Sequence, residues 1–421
     1  MQSTRRNRHA RRRMILAMVL TYMVFGVLLN SVGTVILQSI QGFGVDKQEA
    51  ALLEAFKDLP IAIVSFLTAS LLPRLGLRLA MIIGLLLVAG ACALMPLLAA
   101  FWMTQLLFAT AGVSFALVKV SVYACIGLLT DNRQAHASLT STIEGWFMVG
   151  VVAGYWLFSA FIDPGSPASP GWLRVYWPIC AMALVAAGLL ATTSLDERGA
   201  RDGRRGSRDF LAMFRLATQP LVAIFLVSAF LYVVIEQSIG TWLPTFNREI
   251  LHLPTAMSVQ AASLFAVSLA LGRLGAGLAL RRVPWHALLI GCVLAMAALV
   301  LLALPLASAS SRPSSTGWAE APLAAYVFPM IGLFMAPIYP AINSIVLSAL
   351  PRSQHATMTG LIVVSSALGG TTGSFVTGQL FARVGGAHVF YLSLLPMALL
   401  LLSITRLRRQ VDAGAPAMAV A

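Results

Sequence analysis

The chain has 421 residues, of which 59% are hydrophobic and only 10% charged, with a formal net charge of +14 and a mean hydropathy of +0.85. A soluble domain needs roughly a quarter of its residues charged, so this balance excludes a water-solvated fold. In hydrocarbon every backbone group must be satisfied internally, and apolar stretches of about twenty residues without alternation select helices over a barrel.

Hydropathy predicts twelve membrane helices in chain order, at 14–40, 49–73, 79–99, 101–128, 137–162 and 172–194, then 217–245, 256–280, 285–307, 322–349, 355–382 and 388–407. The basic start, Arg5-Arg6 through Arg11-Arg12-Arg13, resembles the flank of a signal peptide. The apolar run that follows is too long for one, so it is read as a retained first helix. The predicted organisation is a basic cytoplasmic N-terminus (1–13), a first six-helix bundle (14–194), a cytoplasmic linker (195–216), a second six-helix bundle (217–407) and a cytoplasmic tail (408–421).

The charge distribution orients the spans. With both ends cytoplasmic, 21 basic residues fall on the inner side and five on the outer: Lys47, Arg174, Arg248, Arg312 and Arg383. Lys57, Lys119 and Arg273 lie within helices and complete the 29. This asymmetry is the topology signal of an inner-membrane protein with both termini inside. Basic residues gathered at span ends do not form a phosphate-tracking groove, so no nucleic-acid partner is expected. Cys92, Cys125, Cys180 and Cys292 all fall in apolar segments without CxxC spacing or a nearby histidine. They indicate neither a disulfide framework nor a metal site. No phosphate-binding Gly-rich loop is present, and no cofactor or enzymatic constellation is expected.

The two halves echo each other. Arg133-Gln-Ala-His136 after the fourth helix returns as Arg352-Ser-Gln-His355 after the tenth. Pro73-Arg74-Leu-Gly76 after the second is matched by Arg281-Arg282-Val-Pro284 after the eighth. Such a parallel repeat is the organisation of two-bundle carriers. At these hairpins the sequence resembles the major facilitator superfamily. The family's loop motif between helices 2 and 3, Gly-x-Leu-x-Asp-Arg-x-Gly-Arg-Lys, is kept in part as Leu71, Arg74, Gly76 and Arg78, with Pro73 in place of the Asp. Helix 8 carries Gly272-Arg273 and Gly277. Helix 7, with Tyr232, Glu236, Gly240 and Trp242, and helix 10, with Gly332, Pro337, Tyr339 and Pro340, resemble the fucose permease-like branch of sugar:proton symporters. The resemblance implies an all-α fold of twelve helices in two pseudo-symmetric bundles and transport by alternating access.

A charge at bilayer depth costs at least about 2.5–3.5 kcal/mol on insertion scales, so each one is a functional candidate. Glu54, Lys57 and Asp58 share one face of helix 2; they are either a proton or cation site or a closed structural network. Lys119 on helix 4 and Glu144 on helix 5 fall at similar depth on adjacent antiparallel helices, and a salt bridge is expected. In the branch it resembles, acids on helices 1 and 4 take part in proton coupling. Here Lys119 stands on helix 4, and helix 1 offers only Asn30, Ser31, Thr34 and Gln38. Glu144 could hold the proton instead, Lys119 could bind an anionic substrate group, or the two could pair structurally. Glu236, with no base near it in sequence, is the acid of the second half, either a proton acceptor or the cap of a helix break at Gly240.

The proton-coupling candidates are therefore Glu236, Glu144, Glu54 and Asp58. Lys119, Asn30, Gln38, Trp146, Tyr339 and Asn343 are the substrate-side candidates. Lys57, Arg74, Gly76, Arg78, Arg133, Arg273, Arg282 and Arg352 are assigned structural or gating roles. The small-residue series Gly145, Gly150, Gly154 allows close helix packing. The expected function is proton-coupled uptake of a small polar solute such as a sugar, by a monomer in the bilayer. The rivals are antiport efflux, an organic-anion carrier should Lys119 prove unpaired, and a non-transporting membrane sensor.

Overall fold

A computed structural model describes residues 2–130, 132–193, 210–308, 317–351 and 354–418. Arg352 and most of the expected linker lie outside the described residues, as do the side chains of Arg74 and Arg133.

The described chain is helical throughout, and its long helices form twelve spans. They are α1 (Gln2–Asn30), α2 (Leu52–Leu75), α3 (Leu77–Leu98), α4 (Phe101–Leu129), α5 (Arg133–Ala160) and α6 (Tyr176–Ala191), followed by α7 (Pro220–Gly240), α8 (Thr255–Ala279), α9 (Trp285–Ser308), α10 (Ala324–Val327 through Ile338–Ala349), α11 (His355–Val384) and α12 (Leu394–Met418). Eleven of the described spans are long and apolar enough to cross a membrane; the twelfth, α2, carries Glu54, Lys57 and Asp58 in its first two turns. Large apolar side chains such as Leu97, Leu274 and Leu395 are more than 60% exposed. In a water-solvated protein that face would aggregate; around a helical bundle it is the lipid-facing surface.

Two spans are interrupted, each for a local chemical reason. In α1 the Ser31 hydroxyl donates back to the Leu28 carbonyl at 2.8 Å, a bond that bends helices. The helix resumes at Val32–Gln38 and ends in a π-helical turn, Ser39–Phe43, closed by Gly44 at φ 67°. In α10, Pro329 and Pro337 each remove an amide donor, and the span is a series of short helical pieces. Outside the spans, Phe210–Ala217 at the end of the expected linker is helical, and α12 runs on into the expected tail.

By packing, the chain divides into two compact units, one of residues 1–45 and 56–207 and one of 46–55 and 208–421. Each unit is built on a close helix crossing. In the first, α5 lies against α1: a Cβ on Gly150 would stand 2.6 Å from the Met23 carbonyl oxygen, and one on Gly26 would stand 2.5 Å from that of Phe147. In the second, α11 lies against α7: a Cβ on Gly373 would stand 2.5 Å from the Val234 carbonyl, and one on Gly369 2.7 Å from that of Phe230. Backbones can approach this closely only where the side chain is a hydrogen. Gly154 also packs on Val27, whereas Gly145 faces open space and takes no part in the crossing, a correction to the expected series.

The core of the first unit includes Tyr22, Phe25, Phe115 and Phe147, whose ring centroids lie within 6.3 Å of one another in the contacts they make. In the second, Phe246, Phe328 and Phe390 form a mutual cluster at 5.1–5.2 Å. Trp242, fully buried, donates its indole N–H to the Ser374 carbonyl at 3.0 Å.

Candidate functional site

Helical periodicity on α4 places Phe115, Lys119 and Tyr123 on one face, each four residues from the next. In the structure this face meets Glu144 of α5. The Tyr123 hydroxyl donates to Oε1 of Glu144 at 2.6 Å, a short bond of the charge-assisted kind. Lys119 takes a different neighbour: its Nζ lies 5.6 Å from the centroid of the Phe115 ring, within cation–π range. The salt bridge expected between Lys119 and Glu144 is not formed. Among the described residues they do not come within the 4.0 Å of an ion pair, although Glu144 is near enough for its charge to act on Lys119. The reason is geometric: the tyrosine one turn farther along α4 reaches the carboxylate first, and the ammonium folds back over the preceding phenylalanine. Tyr22 of α1 closes the same group from behind, edge-on to Phe147 at 6.0 Å, and its charge environment includes Tyr123 and Glu144.

Tyr22, Phe115, Tyr123 and Phe147 were not among the residues singled out from sequence. The signal for two of them was present, since a tyrosine and a phenylalanine flank Lys119 at one helical turn on either side.

The second unit repeats the device. On α7 the Tyr232 hydroxyl lies 3.4 Å from Oε1 of Glu236, again four residues apart. Tyr232 stacks on Tyr339 of α10 at 5.2 Å and 29°. The Tyr339 hydroxyl shares a 2.9 Å hydrogen bond with Ser366 of α11, one turn of α10 before Asn343. Oδ1 of Asn343 is buried without a hydrogen-bond partner. Arg273, assigned a structural or gating role from sequence, lies near enough to Tyr232 for its charge to act there. The structure thus gathers Glu236, Tyr339 and Asn343, all named from sequence, and adds Tyr232, Ser366 and Arg273.

The remaining candidates make contacts of their own. Glu54, fully buried, accepts from the Thr241 hydroxyl at 3.1 Å, and Thr241 also bonds Gln237 at 2.9 Å. Lys57 pairs with Asp58 at 3.5 Å and reaches the Leu29 carbonyl at 3.5 Å. Asn30 donates to Gly26 at 3.1 Å within its own helix. Gln38 is fully buried with neither amide atom partnered, and the Thr34 hydroxyl one turn earlier is unpartnered as well. Trp146 is 44% exposed. Gly76 turns the chain between α2 and α3 at φ 83°, a region that favours glycine. Arg78 donates to the Thr193 carbonyl and so ties the start of α3 to the end of α6, while Arg282 is exposed.

A twelve-span helical chain, with polar groups inside its spans and no strands among the described residues, has the form of a polytopic membrane protein. The sequence matches the family described as Major Facilitator Superfamily over residues 14–374, and the chain belongs to that family. It is a multi-pass membrane transporter, not an enzyme. Solved structures share the fold at low identity. The nucleoside transporter NupG matches at a TM-score of 0.71 and 14% identity, covering 94% of this chain and 98% of that one. A D-xylose-proton symporter matches at 0.71 and 15%, covering 94% and 96%. The transporter FucP in its outward conformation matches at 0.60 and 16%, covering 93% and 98%. No curated protein matches the chain.

Proposed function

We propose that the chain is a proton-coupled importer of a small polar solute, of the sugar or sugar-derivative class, working as a monomer in the inner membrane with both termini cytoplasmic. One observation carries the coupling: Glu144 sits inside a span, bonded to a tyrosine hydroxyl rather than neutralised by a base. A carboxyl held this way can exist with or without its proton, since the hydroxyl can serve either form. Glu236, beside Tyr232, supplies a second acid inside a span. The xylose-proton and fucose:proton symporters that share the fold support the class of cargo and driving force. The stacked Tyr232–Tyr339 pair offers a ring surface of the kind that packs against sugar faces. The orientation rests on the 21-to-5 distribution of basic residues.

Uptake of labelled sugars into proteoliposomes, with and without an inward proton gradient, tests the reading. Accumulation above equilibrium only with the gradient is expected. Accumulation that is indifferent to the gradient, or that runs outward against it, removes proton symport and leaves the efflux alternative.

A further inference from the structure

We propose that Lys119 is an anion anchor, so that the cargo carries a carboxylate, and that its binding is linked to the proton on Glu144. This rests on the proton-coupled reading above and adds the chemistry of the substrate to it.

Lys119 lies in the interior of α4, eighteen residues from the Phe101 start and ten before the Leu129 end. An ammonium at that depth is costly without compensation, and charged groups in spans face a water-filled cavity or the bundle interior instead of lipid. No carboxylate among the described residues pairs with Lys119. What it has is the face of the Phe115 ring and, farther off, the charge of Glu144. The hydrogen-bond donors of the ammonium are consequently free for a ligand. Lys119 and Glu144 are only partly buried, and Tyr123 between them is exposed. A strongly hydrated point charge beside aromatic faces suits a small carboxylate on a body with an apolar or ring face.

The linkage follows from charge. Among the described residues, Tyr123 on α4 bonds Glu144, and Tyr22 on α1 and Lys119 on α4 lie near enough to feel its charge. With Glu144 ionised, the cluster is neutral and attracts no anion. With Glu144 protonated, Lys119 is left as the single net charge and recruits one. Proton and anion therefore favour each other, and by reciprocity release of one weakens the other. A carrier built so moves the pair together without net charge.

The test uses the full-length protein in detergent and in proteoliposomes, with D-glucose, D-gluconate, D-glucuronate and L-lactate as probes. Thermal stabilisation by a carboxylate and not by glucose is expected. Lys119→Gln should weaken that carboxylate about ten- to a hundredfold, the loss of a charged hydrogen bond, while Lys119→Arg retains most of it. Glu144→Gln, which mimics the protonated acid, should bind the carboxylate at neutral pH as tightly as the parent protein does at acid pH. The anchor is overturned if no carboxylate of the series stabilises the parent protein, or if Lys119→Gln binds it unchanged. Gradient-driven uptake of glucose by Lys119→Gln would leave proton symport standing and remove the anchor. Carboxylate accumulation without a gradient would do the reverse.

Discussion

Tyr123 and Glu144 are joined across two antiparallel helices by a 2.6 Å hydrogen bond, and this contact occupies the carboxylate that sequence had assigned to Lys119. Its consequence is that Lys119 is left over the Phe115 ring and forms no ion pair with Glu144. Removing the hydroxyl therefore acts on transport and not on folding. Tyr123→Phe is expected to lower gradient-driven uptake about tenfold or more, since a hydrogen bond to a charged acceptor contributes about 1.5–3 kcal/mol. The melting temperature in detergent should stay close to that of the parent protein, because Tyr123 is 36% exposed and fills no sealed cavity. Unchanged uptake by the variant would show that Glu144 does not depend on this bond.

Glu236→Gln separates net transport from exchange. If Glu236 carries a coupling proton, the variant loses accumulation against a gradient but keeps counterflow, in which loaded substrate exchanges with external label. Loss of both activities with normal expression would assign the residue to substrate contact instead. The 3.4 Å distance to Tyr232 predicts that Tyr232→Phe has a smaller effect than Tyr123→Phe does in the first unit.

The helix crossings predict a sharp contrast among glycines of α5. Gly150→Ala forces a Cβ to within 2.6 Å of the Met23 carbonyl oxygen, so α1 and α5 must separate. Overpacking of this kind costs about 1–3 kcal/mol, and a drop in melting temperature and yield is expected. Gly145→Ala meets nothing within 4 Å and gains helix propensity of up to about 1 kcal/mol. Equal melting temperatures for the two variants would mean the crossing is looser than described. Gly373→Ala should behave like Gly150→Ala, for the same reason on α7 and α11.

Lys47 pairs with Glu249 at 2.7 Å and lies 4.9 Å from the centroid of the Phe381 ring. The two charged side chains remain 24% and 32% exposed, so solvent screens the pair. A double-mutant cycle on Lys47→Ala and Glu249→Ala, read by thermal denaturation, should return a coupling of no more than about 1 kcal/mol that fades with added salt. A larger coupling insensitive to salt would identify a desolvated pair.

The span count and the family were legible in sequence because hydropathy belongs to a segment and needs no partner. So was the identity of Lys119, Glu144, Glu236, Tyr339 and Asn343 as polar groups out of place. What sequence could not settle was which of these groups meet. Each residue turns a helix by about 100°, from 3.6 residues per turn, and an ion pair needs contact within 4 Å. A small rotation of α4 therefore decides whether Lys119 or Tyr123 reaches Glu144, and no count of positions along the chain determines that rotation. Packing of α1 on α5 through Gly26 and Gly150, with Phe115 and Phe147 wedged against Tyr22, sets it. The same limit applies to Glu54, whose hydrogen-bond donor Thr241 is 187 residues away in sequence. Length and polarity determined that the chain crosses the membrane twelve times and carries charged residues within its spans; helix rotation decided which side chain meets Glu144.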